Sequence, residues 1–223
     1  MNRLEKMLLE SIKDGDQSSV QDCIENIFPE AQKRFNFNDR KYPKYERVDD
    51  EGLGFIAHAI LAKQFNIACY LLTKLPSTAQ TLVTRDGRSL IWIAADGGEK
   101  ILLNLMLGIQ KNKASQLIIT QNHELLNQPD VEGITPLMAA TQNNKANVVQ
   151  LLLAIGANRE VINKNGDSLF HIATNHDAAE SLTILLNTFL IKNPVSHPFF
   201  LTNGKSLTPF EVALKMNSTK CID

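Results

Sequence analysis

The 223-residue sequence is short of several things, and each shortage closes a class of explanation. It has three cysteines, Cys23, Cys69 and Cys221, and none stands in a Cys-x-x-Cys spacing. Three thiols cannot all pair within one molecule, which argues against a disulfide scaffold and a structural zinc site and for a reducing compartment. Long apolar runs are missing too: no stretch approaches the ~20 residues that span a bilayer. The N-terminal MNRLEKMLLESIKDGDQ is broken by charges before a signal-type core can form. Cys221 is third from the end, one position off a prenylation box. Charge of one sign is also lacking, since 23 Lys+Arg meet 24 Asp+Glu for a formal net charge of -1. No overall field then draws nucleic acid or an anionic membrane. The expected location is cytoplasmic.

Chemistry-bearing motifs are equally scarce. The five histidines, His58, His123, His171, His176 and His197, form no i,i+4 pair, no His-Glu-x-x-His and no metal spacing with a cysteine. There is no Walker-type loop, no Rossmann glycine triplet, no Gly-x-Ser-x-Gly and no kinase signature. Gly97-Gly98 is the one pair that suggests a phosphate loop, and its place is the turn between two helices. No catalytic residue, cofactor site or metal site is expected, and the chain reads as a non-enzyme.

What the sequence does contain is itself, several times over. From Asp130 it runs DVEGITPLMAATQNNKANVVQLLLAIGAN, and from Asn163 NKNGDSLFHIATNHDAAESLTILL. Gly133 and Gly166 are 33 residues apart; Thr135, Leu137, Ala140 and Leu152 fall on Ser168, Phe170, Ala173 and Leu185. Two earlier copies align on Gly87, Ser89, Ile91, Ala94 and Met106, and on Gly52, Ile56, Ala59 and Leu71. Each glycine sits in a polar turn, where a missing Cβ permits positive φ. Pro136 suits a first helical turn, and Thr135 or Ser168 ahead of it can cap that helix. Alanines such as Ala94, Ala140 and Ala173 allow close approach of neighbouring helices. Apolar runs such as Leu151-Leu152-Leu153 supply a face that one unit alone cannot bury.

These copies resemble the ankyrin repeat, a glycine followed by Thr-Pro-Leu-His-x-Ala and an apolar second helix. Thr135-Pro136-Leu137 matches literally, and His171 stands at the family's histidine. The resemblance implies an all-α solenoid of stacked helix-turn-helix repeats with β-turn fingers, about five to six units in all. Residues 1–27 read as an N-terminal capping helix pair and 28–48 as an aromatic and basic insertion. Repeats follow over 49–223: about 49–83, 84–129 with an insertion at 108–124, 130–162, 163–202, and a partial copy at 203–223. Ala114 to Leu126 has the pattern of a short amphipathic helix, and the last copy leaves too little chain for its second helix. About seven further residues enter near Ile191 to Asn203.

Function follows from the same resemblance. Family members hold protein partners on the concave side, with finger tips and inner-helix ends. The matching finger positions are Asp50, Glu51, Leu53, Arg85, Asp86, Arg88, Glu132, Ile134, Lys164, Asn165 and Asp167. The matching helix ends are Asp96, Gln142, Asn143, Asn175 and His176. Trp92 replaces the family's histidine and either fills space beneath the fingers or anchors a partner. The segment 28–48, with Phe35, Phe37, Tyr42 and Tyr45 among lysines and arginines, could stack single-stranded nucleic acid. Its interspersed acids favour a protein contact instead, so nucleic acid is not the expected partner. The expectation is a monomeric protein-interaction module that binds a protein or peptide. An effector of an intracellular bacterium, working in host cytosol, is one form of it. A targeting fragment whose enzymatic domain lies outside this chain is the alternative.

Overall fold

The computed structural model describes residues 3–27, 53–74, 83–111, 117–118, 123–190 and 200–222. The segment 28–48, the finger positions Asp50 and Glu51, and most of the insertion around 191–199 lie outside the described residues. The chain divides into two compact units, Met1–Ile93 and Ala94–Asp223.

In the first unit, α1 (Arg3–Asp14) and α2 (Gln17–Asp22) form a helical pair, and α2 runs on as a π-helical turn over Cys23–Ile27. The Asp16 carboxylate caps α2 by accepting from the Ser19 N–H at 3.1 Å. The next pair is α3 (Phe55–Leu61) and α4 (Phe65–Lys74). Helix α1 packs on α3 and α2 on α4, so like helices align in rows. Leu8, Ile12, Phe55, Ile56 and Leu71 are fully buried between them. At the outer row Glu25 ties two turns together, accepting from Tyr70 Oη at 2.8 Å and pairing with Lys74 at 2.9 Å. Helix α5 (Leu90–Gly97) begins in this unit and ends in the second.

The second unit continues with α6 (Lys100–Leu107), α7 (Pro136–Gln142), α8 (Ala146–Ala154), α9 (Leu169–Asn175), α10 (Ala179–Leu190), α11 (Pro209–Met216) and α12 (Thr219–Ile222). One row is α7, α9 and α11, each packed on the next; the other is α6, α8, α10 and α12. Ala139, Ala140, Ala173 and Ala213 are fully buried, and their small side chains set the spacing of the first row. Met106, Val148, Val149, Leu152 and Leu185 fill the second. The Thr135 hydroxyl caps α7 as its position implies, accepting from the Met138 N–H at 3.3 Å, with Pro136 in the first turn.

Two sequence-based expectations give way. Among the described residues of the stretch from Ala114 to Leu126, the expected helix gives way to other structure: Gln110–Lys111 (β1) and Leu117–Ile118 (β2) pair as an antiparallel ladder, and His123–Leu125 is a 3-10 turn. Ile118 is β-branched, and at Leu117–Ile118 that favours an extended chain over the helical period of the apolar residues. The last copy does form a second helix, the four-residue α12. Asn217 takes φ +55 and ends α11, and the Cys221 N–H then reaches the Asp177 carboxylate at 3.2 Å. That bond to the preceding copy compensates for the helix's short length.

Candidate functional site

The fingers are built from one backbone device used three times. Asp130, Asn163 and Asn203 each fold a side-chain oxygen back onto the N–H groups two and four residues ahead. For Asp130 these are Glu132 and Ile134, both at 2.9 Å; for Asn163 they are Asn165 at 2.9 Å and Asp167 at 2.8 Å; for Asn203 they are Lys205 at 3.0 Å and Leu207 at 3.2 Å. Short polar side chains that bond their own backbone in this way hold a turn without help from a sheet. In the first unit Thr84 performs a smaller version, accepting from the Arg88 N–H at 3.0 Å.

The fingers of the second unit then lie against one another by backbone. The Lys164 N–H donates to the Glu132 carbonyl at 3.0 Å, and the Gly204 N–H to the Asn165 carbonyl at 2.9 Å. This approach is possible because two glycines face each other. A Cβ on Gly166, itself at φ +75, would sit 2.7 Å from the Gly204 nitrogen, and one on Gly204 would sit 2.6 Å from the Asn165 oxygen. Gly204 is therefore displaced from the pattern: the left-handed finger position of the last copy is Ser206, at φ +58.

Beneath the fingers His171 links two copies. The Ser168 N–H donates to Nδ1 at 3.2 Å, and Nε2 lies 2.9 Å from the Leu207 carbonyl. A backbone donor on one nitrogen and a backbone acceptor on the other select the neutral tautomer with its proton on Nε2. The imidazole thus satisfies the Ser168 N–H at the start of α9 as one half of a capping box, beside the cap expected from Ser168 itself.

At the opposite ends of the inner helices, Asn144 (φ +52) and Asp177 (φ +52) turn the chain and bond forward to the next outer helix. Asn144 accepts from the Ser181 N–H at 2.9 Å, as Asp177 does from Cys221. Next to them Asn143 donates to Asp96 at 2.6 Å, so these two expected contact residues engage each other. His176 caps α9 and is exposed, yet partial burial of its ring holds its pKa below the ordinary histidine value.

Between the last two fingers and the ends of α9 and α11 lies an open groove of about 180 Å³. It is lined by Asn165, Asp167, Asn175, Asn203, Lys205, Leu207, Val212, Lys215 and Met216. Three of the residues expected from sequence, Asn165, Asp167 and Asn175, meet here. Sequence reasoning missed Lys205, Lys215 and Met216, because the last copy was treated as incomplete. Their signal was available: Thr208-Pro209-Phe210 repeats the motif of Thr135-Pro136-Leu137.

The other expected residues are distributed more widely. Glu132, Lys164 and Asn143 are exposed, and Ile134, Gln142 and Asp96 are half-buried. In the first unit Arg85, Asp86 and Arg88 are exposed at their finger. Leu53 and Trp92 retain only 9% and 7% of their surface, so little of either side chain is exposed. Trp92 fills space under its finger, and the Arg88 guanidinium lies across its ring at 4.6 Å from the centroid. Among the described residues no group of three potential metal ligands comes together, and no helix is long and apolar enough to cross a membrane.

Paired helices in rows, joined by self-bonded turn fingers, define a helical repeat protein. Residues 91–195 match the family model described as ankyrin repeats, in 3 copies. Those residues, just under half of the chain, carry ankyrin repeats, and repeats of that kind are in general protein–protein interaction modules. It is 27% identical over 139 residues to the nuclear factor NF-kappa-B p105 subunit of Gallus gallus, covering 60% of this chain and 14% of that one. The p105 subunit of Rattus norvegicus is 26% identical over 137 residues, covering 61% and 13%. The match thus spans about one-seventh of those much longer relatives. Among solved structures, an ankyrin repeat domain from Acinetobacter baumannii AYE superposes with a TM-score of 0.60 at 16% identity, over 96% of this chain and 93% of that one. That likeness shows the fold alone.

Proposed function

We propose that this chain is a non-catalytic interaction module that holds a protein segment in the groove between its last two fingers and the ends of α9 and α11. The observation that carries this reading is the way the groove is built. Its wall is backbone, held by the side-chain oxygens of Asn163 and Asn203 in two Asx turns and by the Gly204–Asn165 backbone bond. A surface ordered before its partner arrives loses little conformational entropy on association. Asn165 and Asn175 project there as exposed amides, and Leu207, Val212 and Met216 provide apolar floor. Such a floor with a few polar groups around it is the usual anatomy of a site for a short segment.

The relatives carry the matching segment as a minor part of a long chain, which supports the form of this reading in which the module targets an activity held elsewhere. The test is affinity capture from eukaryotic lysate followed by photo-crosslinking from position 175. Wild type is run beside Asn165→Arg/Asn175→Arg and beside Arg85→Ala/Arg88→Ala. A partner lost only in the groove variant supports the proposal. A partner lost only in the Arg85/Arg88 variant moves the surface to the first unit's finger and sinks it.

A further inference from the structure

The charges that line the groove do not cancel as the sequence suggests. Asp167 is the one acid among the lining residues, beside Lys205 and Lys215. Its two carboxylate oxygens are already taken up inside the fingers: Oδ1 accepts from Asn203 Nδ2 at 2.7 Å, and Oδ2 from Asn163 Nδ2 at 3.3 Å. Both lysines are exposed, and among the described residues no carboxylate pairs with either ammonium. The neighbouring acid on α11, Glu211, is turned to the helix start, where Oε2 accepts from the Thr208 N–H at 2.7 Å and the Thr208 hydroxyl at 2.8 Å. Those amide bonds hold the Asp167 charge in place without removing it, and two lysines against one acid leave the lining with a positive excess, although the whole chain carries -1.

The geometry of α11 sharpens this. Lys215 lines the groove together with Val212 and Met216, while Phe210 and Leu214 stand on the other side of the helix. Met216 keeps 52% of its surface exposed and, with Leu207 and Val212, forms an apolar strip bordered by a lysine from the finger and a lysine from the helix. The side-chain amides of Asn165 and Asn175 make no hydrogen bond among the described residues, so each offers a donor and an acceptor.

We infer that the segment the groove accepts is an extended acidic peptide, with an apolar side chain seated on Leu207, Val212 and Met216 and flanking carboxylates paired with Lys205 and Lys215. Asn165 and Asn175 bond its backbone. The inference rests on the groove reading above and adds the chemistry of the partner. Charge sets the choice and the on-rate, and the apolar contact retains the ligand once bound.

The probes are three fluorescein-labelled decapeptide pools, measured by fluorescence polarisation on the full chain. The first alternates Glu with Leu, Phe or Met; the second replaces every Glu with Gln, the third with Lys. The Glu pool should bind about tenfold more tightly than the Gln pool and weaken as salt rises from about 50 to about 500 mM. Lys205→Glu/Lys215→Glu, two exposed changes whose folding circular dichroism checks, should lose that binding and acquire affinity for the Lys pool. Equal binding of the Gln and Glu pools overturns the acidic preference; if that binding is lost in Asn165→Arg/Asn175→Arg, the groove reading stands without it. Retention of the Glu pool by the double lysine variant overturns the inference outright. So does failure of the Glu pool to bind wild type, in which case the capture experiment alone decides the groove reading.

Discussion

Gly166 and Gly156 make a matched pair that isolates the contact between fingers. Both are left-handed, at φ +75 and +89. An alanine at either position incurs the conformational cost of that region, roughly 1–2 kcal/mol for a residue with Cβ. Their surroundings differ. At Gly156 nothing lies within 4 Å of the added methyl, whereas at Gly166 the methyl falls 2.7 Å from the Gly204 nitrogen and 3.3 Å from its Cα. Both are backbone atoms in the next finger and cannot rotate away. The fingers must separate, and the Gly204–Asn165 hydrogen bond, worth about 0.5–1.5 kcal/mol net, is lost or stretched. Gly166→Ala should therefore destabilise the chain by about 2–3 kcal/mol and Gly156→Ala by about 1–2. Paired guanidinium titrations followed by circular dichroism measure the difference. Amide exchange at Gly204 locates it, since that N–H should lose protection only in Gly166→Ala. Equal losses in the two variants would refute the idea that backbone contact between fingers, and not the turn alone, demands glycine at 166.

Three further outcomes follow from the bonds that join the copies. His171→Ala removes a fully buried imidazole, strands the Ser168 N–H and the Leu207 carbonyl, and should cost about 2–4 kcal/mol; a loss below about 0.5 kcal/mol in the same titration would show that the link is incidental. Asn144→Ala should cost about 1–2 kcal/mol, losing both a residue suited to the left-handed turn and the acceptor for the Ser181 N–H, and Asn144→Gly should recover only the first part. Glu211 is held below its ordinary value of 4.5 by the hydrogen bonds it accepts from the Thr208 backbone and then from its hydroxyl. A depressed folded value means that the contribution is present above the unfolded pKa and is lost as pH falls through the folded one. The Thr208 amide resonance should accordingly shift only below about pH 4.5, and in Glu211→Gln it should not titrate there.

Residue types at a period of 33 were enough to reveal the repeat, because a unit that cannot bury its own apolar face writes the same pattern wherever a neighbour covers it. Thr135-Pro136 at a helix start, Gly166 in a left-handed turn and alanines at the close approach are local requirements, so they are legible one copy at a time. The ladder at Leu117–Ile118 was not legible, since its partner is the polar pair Gln110–Lys111, which carries no strand pattern of its own and acts only once it is brought alongside. Trp92 was ambiguous for the same reason: its burial depends on what folds over it. Asn143 and Asp96 looked available on a list of helix ends and turn out to be bonded across 47 residues. The sign of the groove is the sharpest case. Counting finger positions made it mixed, and only the tertiary arrangement brings Lys205 of the last finger and Lys215 of α11 to one groove with a single acid, Asp167, whose oxygens are held by two asparagine amides. Sequence by itself determined the repeat and its turns, whose causes lie within a few residues. Tertiary structure decided which polar groups remain free, because that depends on partners far away along the chain.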